Sequence, residues 1–248
     1  MVTKKAAVKA APKTAKARTV AQKDAGGIEL YFKRIFALMF GAVGLTAITA
    51  WLTIYAGGYT LLFNEMGPSM LFYIVIFGGL GLSLWVQARI FSLKPQIAAI
   101  ILAVYSVLIG FGLTPLILGA LSVNPASIVQ AFIIAALMFG CMALFGYKTA
   151  KDLSFLGIFL FIGMIGLLLV GALSFIWPLG STFATIVCLI GVLVFALFTA
   201  YDMQFLKKAY AAGGDKMQRD QLAVLGALHL YISFIAMFQY ILSLLNRR

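Results

Sequence analysis

LSFLGIFLFIGMIGLLLVGALSFI, residues 153–176, runs for 24 residues without a charged side chain. At 1.5 Å of helical rise per residue, such a run crosses the ~30 Å hydrocarbon layer of a bilayer, which needs about 20 residues. No water reaches that depth to pair with a free peptide group, so the inserted run must be helical. Six further uncharged or nearly uncharged runs lie at about 35–57, 69–90, 96–119, 126–147, 182–206 and 222–245. None shows the ten-residue alternation of a membrane barrel strand. The predicted fold class is an all-α polytopic membrane protein with about seven transmembrane helices, occupying residues 28–248 behind a tail at 1–27.

Composition agrees with that reading. The 248 residues are 63% hydrophobic and 10% charged, whereas a soluble domain carries about 25% charged residues. So much apolar surface needs lipid as its solvent. The formal net charge of +12 does not point to a nucleic-acid partner, because of where the charge lies. Nine of the nineteen Lys and Arg precede residue 35, and most of the rest fall in short loops. That distribution is a topology signal and places a basic tail near anionic lipid. The tail, with Lys4, Lys5, Lys9, Lys13, Lys16, Arg18 and Lys23, has almost no large apolar residue. It is expected to be disordered, and it lacks the apolar h-region of a cleavable signal peptide.

Orientation follows from the loops. Lys33 and Arg34 precede the first run, Arg89 and Lys94 follow the second, Lys148 and Lys151 the fourth, and Lys207, Lys208, Lys216 and Arg219 the sixth. The loops near Glu65, Asn124 and Pro178 hold no Lys or Arg. This alternation predicts a cytosolic N-terminus. Arg247 and Arg248 then fall on the outer side after seven crossings, so the last run either crosses with them or dips and returns. Cys141 and Cys188 sit inside apolar runs with no disulfide or zinc spacing. No metal site and no cofactor is expected. Gly41, Gly44, Ala136, Gly140, Gly163 and Gly166 are expected at close helix contacts. Pro115 should kink or break the third helix. Asp152 reads as an N-cap with the helix starting at Leu153.

Charge within the membrane costs at least ~2.5 kcal/mol per Asp on insertion scales and needs a reason. The candidates are Asp202, in Phe198-Thr199-Ala200-Tyr201-Asp202-Met203-Gln204; His229, the single histidine, in Ala227-Leu228-His229-Leu230-Tyr231-Ile232-Ser233-Phe234; and Arg89. TAYDMQ followed about 25 residues later by ALHLYISFIAMF resembles the Bax inhibitor-1 family of transmembrane proteins. IGFGLTPLI, at Ile109 to Ile117, resembles that family's third-helix signature. The resemblance runs from about residue 30 to the end.

The resemblance implies a fold whose last helix is central and surrounded by the other six. It implies a proton-sensitive calcium leak in which two carboxylates, on helices 6 and 7, share a hydrogen bond and close the cytosolic side of a pore. Calcium would then be the ion carried. Asp202 matches the first carboxylate, but the second position is Ser233. Two close carboxylates hold a shared proton because both cannot ionise together; a serine cannot take part in this. His229 and Ser233 are four apart and share a face of helix 7. Asp202, His229 and Ser233 are therefore expected to form a hybrid polar latch, since an imidazole titrates around neutral pH. The resemblance also associates a helix-2 arginine with the site; Arg89 is the candidate ion-pair partner of Asp202, with a snorkelling topology role as the alternative.

The alternative function is a non-transporting interaction protein. Bacterial relatives are associated with modulating a membrane-anchored, ATP-dependent protease under stress, and a flexible basic tail would suit such docking. An enzyme is not expected. Ser233 and His229 on one helix turn supply neither an aligned base nor oxyanion donors. The layout reads as that of a bacterial inner-membrane protein.

Overall fold

The computed structural model describes residues 11–64, 67–174 and 180–247, with side chains from Gly27 onward except Asn64. Its helices are α1 (Ala11–Tyr55), α2 (Met70–Arg89), α3 (Pro95–Val123), α4 (Ala126–Lys148), α5 (Leu156–Ser174), α6 (Ser181–Ala211) and α7 (Lys216–Leu245). Among the described residues all seven are long and apolar enough to span a membrane, α1 from Gly27 onward. The expected all-α polytopic class is the one observed. The added detail is a two-residue hairpin, β1 (Phe63–Asn64) against β2 (Gly67–Pro68), between α1 and α2. Glu65 and Pro178 lie outside the described residues.

Burial orders the bundle from the inside out. In α7, 78% of the apolar span is buried, against 11% in α5. α1, α3, α4 and α6 pack directly on α7, while α2 packs mainly on α3 and α5 on α6. The last helix is thus the axis of the bundle. Phe159, Phe161 and Ile162 on α5 and Trp51 on α1 are exposed, as befits side chains whose solvent is hydrocarbon.

Several boundaries differ from expectation for identifiable reasons. The backbone is helical from Ala11, so α1 extends back into the segment read as a disordered tail. The stretch is rich in Ala and Lys, which favour helix; residues 1–10 are outside the described residues. α7 begins at Lys216, earlier than the apolar pattern suggests, because Asp215 caps it. The Asp215 carboxylate accepts from the Gln218 N–H at 2.7 Å, and the Gln218 side chain accepts from the Asp215 N–H at 3.4 Å. That is a capping box. Gly213 (φ 88°) and Gly214 (φ 129°) make the preceding turn, which a side chain would strain.

Asp152 is not the N-cap of α5, which starts at Leu156. The Leu153 N–H instead donates to Gln204 Oε1 at 2.8 Å, and Gln204 Nε2 donates to the Lys151 carbonyl at 2.7 Å. One side chain on α6 thereby holds this loop extended. Asp152 accepts from the Ser154 N–H and hydroxyl and pairs with Lys208 at 2.6 Å. Nor does Pro115 break α3, which runs unbroken through it from Pro95 to Val123. Packed neighbours and hydroxyl side chains make an intramembrane proline tolerable, and here Thr114 Oγ1 donates to the Gly110 carbonyl at 3.2 Å.

The close approaches use a different set of glycines from the one expected. Gly41, Gly44, Gly140 and Gly166 have open space where a Cβ would stand, and Ala136 is exposed. Of that set, Gly163 alone touches a neighbouring helix, at Val194 on α6. The tight contacts are Gly146 of α4 on the Ala200 backbone of α6, Gly110 of α3 on the Thr46 backbone of α1, Gly191 of α6 on the Tyr240 ring, and Gly226 of α7 on Leu206. Small-residue spacing marks positions where helices can meet; it does not say which face is turned inward.

Candidate functional site

Glycine contacts fix the register of α6 against α7. Gly226 lies against Leu206 and Gly191 against Tyr240, so each step along α6 is matched by a step back along α7. Asp202 and His229 are level on that register. His229 Nδ1 lies 3.4 Å from Asp202 Oδ1, and the Asp202 side chain is only 7% exposed. Two of the three predicted latch residues therefore meet. Ser233, also buried, falls one turn deeper, level with Thr199, and no hydrogen bond joins it to Asp202.

The other ring nitrogen of His229 is occupied as well. Nε2 lies 3.1 Å from Oε1 of Gln87 on α2. With both nitrogens engaged, the ring has none left to act as a base toward Ser233. Arg89 takes no part: it is exposed at the end of α2 and forms no ion pair with Asp202 among the described residues. Residues two apart on a helix point to different sides, so the inward face carrying Gln87 leaves Arg89 outside. Gln87 is neutral, so no charge marks it in the apolar run of the sequence. Its one signal is its place four residues after Ser83, on the stripe of Phe72, Val75, Gly79, Ser83 and Val86 that α2 buries.

Around the pair, one end of the bundle is held by polar contacts. Arg34 of α1 pairs with Asp220 of α7. Gln221 of α7 donates to the carbonyls of Phe91 and Leu93 in the α2–α3 turn, at 3.3 and 2.8 Å. Lys207 donates to the Tyr147 carbonyl at 2.8 Å and lies 4.9 Å from the centre of its ring. These contacts gather the Lys- and Arg-bearing loops at a single end, near Asp202 and His229. Deeper in, the Tyr231 hydroxyl meets Thr46 Oγ1 at 2.6 Å, and Thr46 donates to the Ser106 carbonyl at 3.0 Å. Among the described residues no three His, Cys, Asp or Glu side chains converge as a metal site.

A bundle of seven apolar helices whose last is the buried axis, with an acid–imidazole contact near one end, defines a polytopic integral membrane protein with an internal polar site. Residues 29–248 match the family model described as "Inhibitor of apoptosis-promoting Bax1". The chain is 32% identical over 225 residues to inner membrane protein YbhL of Escherichia coli strain K12, covering 90% of this chain and 93% of that one. It is similarly 32% identical to protein RP147 of Rickettsia prowazekii over 223 residues, covering 90% and 91%. A Caulobacter vibrioides protein is 34% identical over 209 residues, covering 84% and 80%. The chain belongs to the Bax inhibitor-1 family.

Proposed function

We propose that this protein is a proton-sensitive cation leak of the bacterial inner membrane, with calcium as the ion carried, and that the contact between Asp202 and His229 closes its cytosolic end. The observation that supports this reading is the buried 3.4 Å contact joining α6 to the axial helix α7. A carboxylate is expensive to hold at this depth, and an imidazole is the side chain whose charge changes near neutral pH. His229 here stands in for the second carboxylate, with Ser233 left outside the contact. Gain or loss of a proton changes the charge on the pair and hence the attraction between the two helices. No other charged side chain among the described residues pairs with either group. The cytosolic N-terminus belongs to this proposal and rests on the Lys and Arg of loops gathered at the Asp202 end; the inner-membrane location rests on the likeness to YbhL. The role is transport, not catalysis.

The test is calcium flux into liposomes holding the purified protein, across pH 6 to 8, for wild type, Asp202→Asn and His229→Ala. Wild-type flux is expected to vary with pH, and both substitutions should flatten that dependence. No flux from the wild type, together with capture of a membrane-anchored protease from native membranes, would replace this reading with that of a protease modulator.

A further inference from the structure

Gln87 is the element of the site that neither the helix-6 and helix-7 motifs nor the basic loops single out. Its amide is oriented from behind: Nε2 donates to the Ser83 carbonyl one turn earlier on α2, at 3.2 Å. This leaves Oε1 pointing at His229 Nε2, at 3.1 Å. An amide oxygen only accepts hydrogen bonds, so the ring nitrogen facing it must carry a hydrogen. A neutral imidazole has one N–H, and Gln87 assigns it to Nε2. Nδ1 is then bare and faces a carboxylate oxygen at 3.4 Å. Two lone pairs opposed in a buried site repel. The contact becomes attractive only when one proton sits on either side of the gap, on Nδ1 with Asp202 ionised or on Asp202 with the ring neutral. Without Gln87 the neutral ring would put its N–H on Nδ1, donate directly to the carboxylate, and need no added proton.

We propose that Gln87 is a positioning residue that holds His229 in its Nε2–H form and so makes the Asp202–His229 contact a site for one proton. The charged groups that bear on the ring are few. Asp202 faces it from α6, Gln87 from α2 is neutral, and among the described residues no charged side chain from α1, α3 or α4 pairs with it. The proposal rests on reading this pair as the proton-sensing element, but it needs no ion to be conducted.

His229 is the single histidine of the chain, so its ring can be observed without assignment. Protein labelled with 15N-histidine and held in lipid nanodiscs would be followed by NMR from pH 5 to 9. In the wild type, Nε2 should show a protonated-nitrogen shift throughout, with only Nδ1 changing. In Gln87→Leu, the alkaline spectrum should invert, with Nδ1 protonated and Nε2 bare. Gln87→Glu, which keeps an acceptor oxygen but gives up the N–H to the Ser83 carbonyl and adds a carboxylate, should keep Nε2 protonated and carry Nδ1 protonation to higher pH. A wild-type ring that is Nδ1–H at alkaline pH overturns the proposal even if no variant folds, as does a Gln87→Leu spectrum unchanged from wild type. The readout is the ring itself, so a protein that carries no calcium can still pass this test, and one that leaks calcium can still fail it.

Discussion

At the scale of single residues, the backbone contacts of two glycines make opposite predictions for the same substitution. A Cβ on Gly146 would strike the Ala200 backbone, which cannot move aside without shifting α6, whereas a Cβ on Gly41 meets open space. Overpacking of a rigid contact costs about 1–3 kcal/mol, while replacing an unhindered helical glycine by alanine gains up to about 1 kcal/mol. Gly146→Ala should lower the thermal unfolding midpoint in detergent, and Gly41→Ala should leave it unchanged or raise it. Equal effects of the two would mean that α4 and α6 do not meet at Gly146. The same comparison shows what sequence reading could and could not reach. Asp202 and His229 were legible because charge and imidazole are rare in apolar runs and must be accounted for energetically. Motif position places Ser233 in the latch, but the register of α6 on α7 puts it a turn too deep. Gln87 was invisible because an uncharged amide raises no such question until its partners are seen.

At the scale of elements, two glutamines tie loops to helix ends. Gln204 satisfies both the Leu153 N–H and the Lys151 carbonyl, and Gln221 satisfies two carbonyls of the α2–α3 turn. Removing Gln204 leaves the buried Leu153 N–H unpaired, and a buried peptide group without a partner costs about 1–3 kcal/mol. Gln204→Leu should therefore speed hydrogen exchange across residues 150–156 and lower the unfolding midpoint, while exchange in the α2–α3 turn stays as it was. Exchange unchanged in the α4–α5 loop would remove Gln204 from that role. Beside it, a hydrogen bond from Lys208, aided by Ser154, holds the Asp152 carboxyl well below the usual carboxylate range. Because the folded-state value is depressed, the stabilisation is present above the unfolded value near 4 and is lost as pH falls below it. Both side chains are largely exposed, so the effect is small and screened by salt. Wild type and Asp152→Asn should differ slightly in midpoint at pH 7 and low salt, and converge at low pH or in 1 M salt. These loop contacts explain why element ends were less readable than element existence: the start of α5 is set by a glutamine some fifty residues away, and the start of α7 by a cap lying outside the apolar run.

At the scale of the whole molecule, hydropathy and loop charge left one question open: whether the last segment crosses or returns. The structure supports a crossing, with a single helix. α7 runs unbroken for 30 residues from Lys216 to Leu245, about 45 Å at helical rise, more than the hydrocarbon layer requires. Its ends are pinned to opposite ends of the bundle. Asp220 pairs with Arg34 beside the start of the α1 span, while Asn246 accepts a hydrogen bond from Ser127, at the start of α4, at 2.8 Å. The crossing can override Arg247 because burial, not loop charge, sets this helix: it is the axis on which α1, α3, α4 and α6 pack, and long basic side chains can reach the headgroups from a helix end. Reporter fusions test this directly. If the Lys- and Arg-bearing loops face the cytosol as proposed, an N-terminal green fluorescent protein should fluoresce, and alkaline phosphatase fused after residue 248 should be active on the far side of the membrane. A fluorescent N-terminal fusion together with an inactive phosphatase after residue 248 would put both ends on one side and mean that the axial helix does not traverse the bilayer. The α6–α7 register that brings His229 to Asp202 would then have to be abandoned with it.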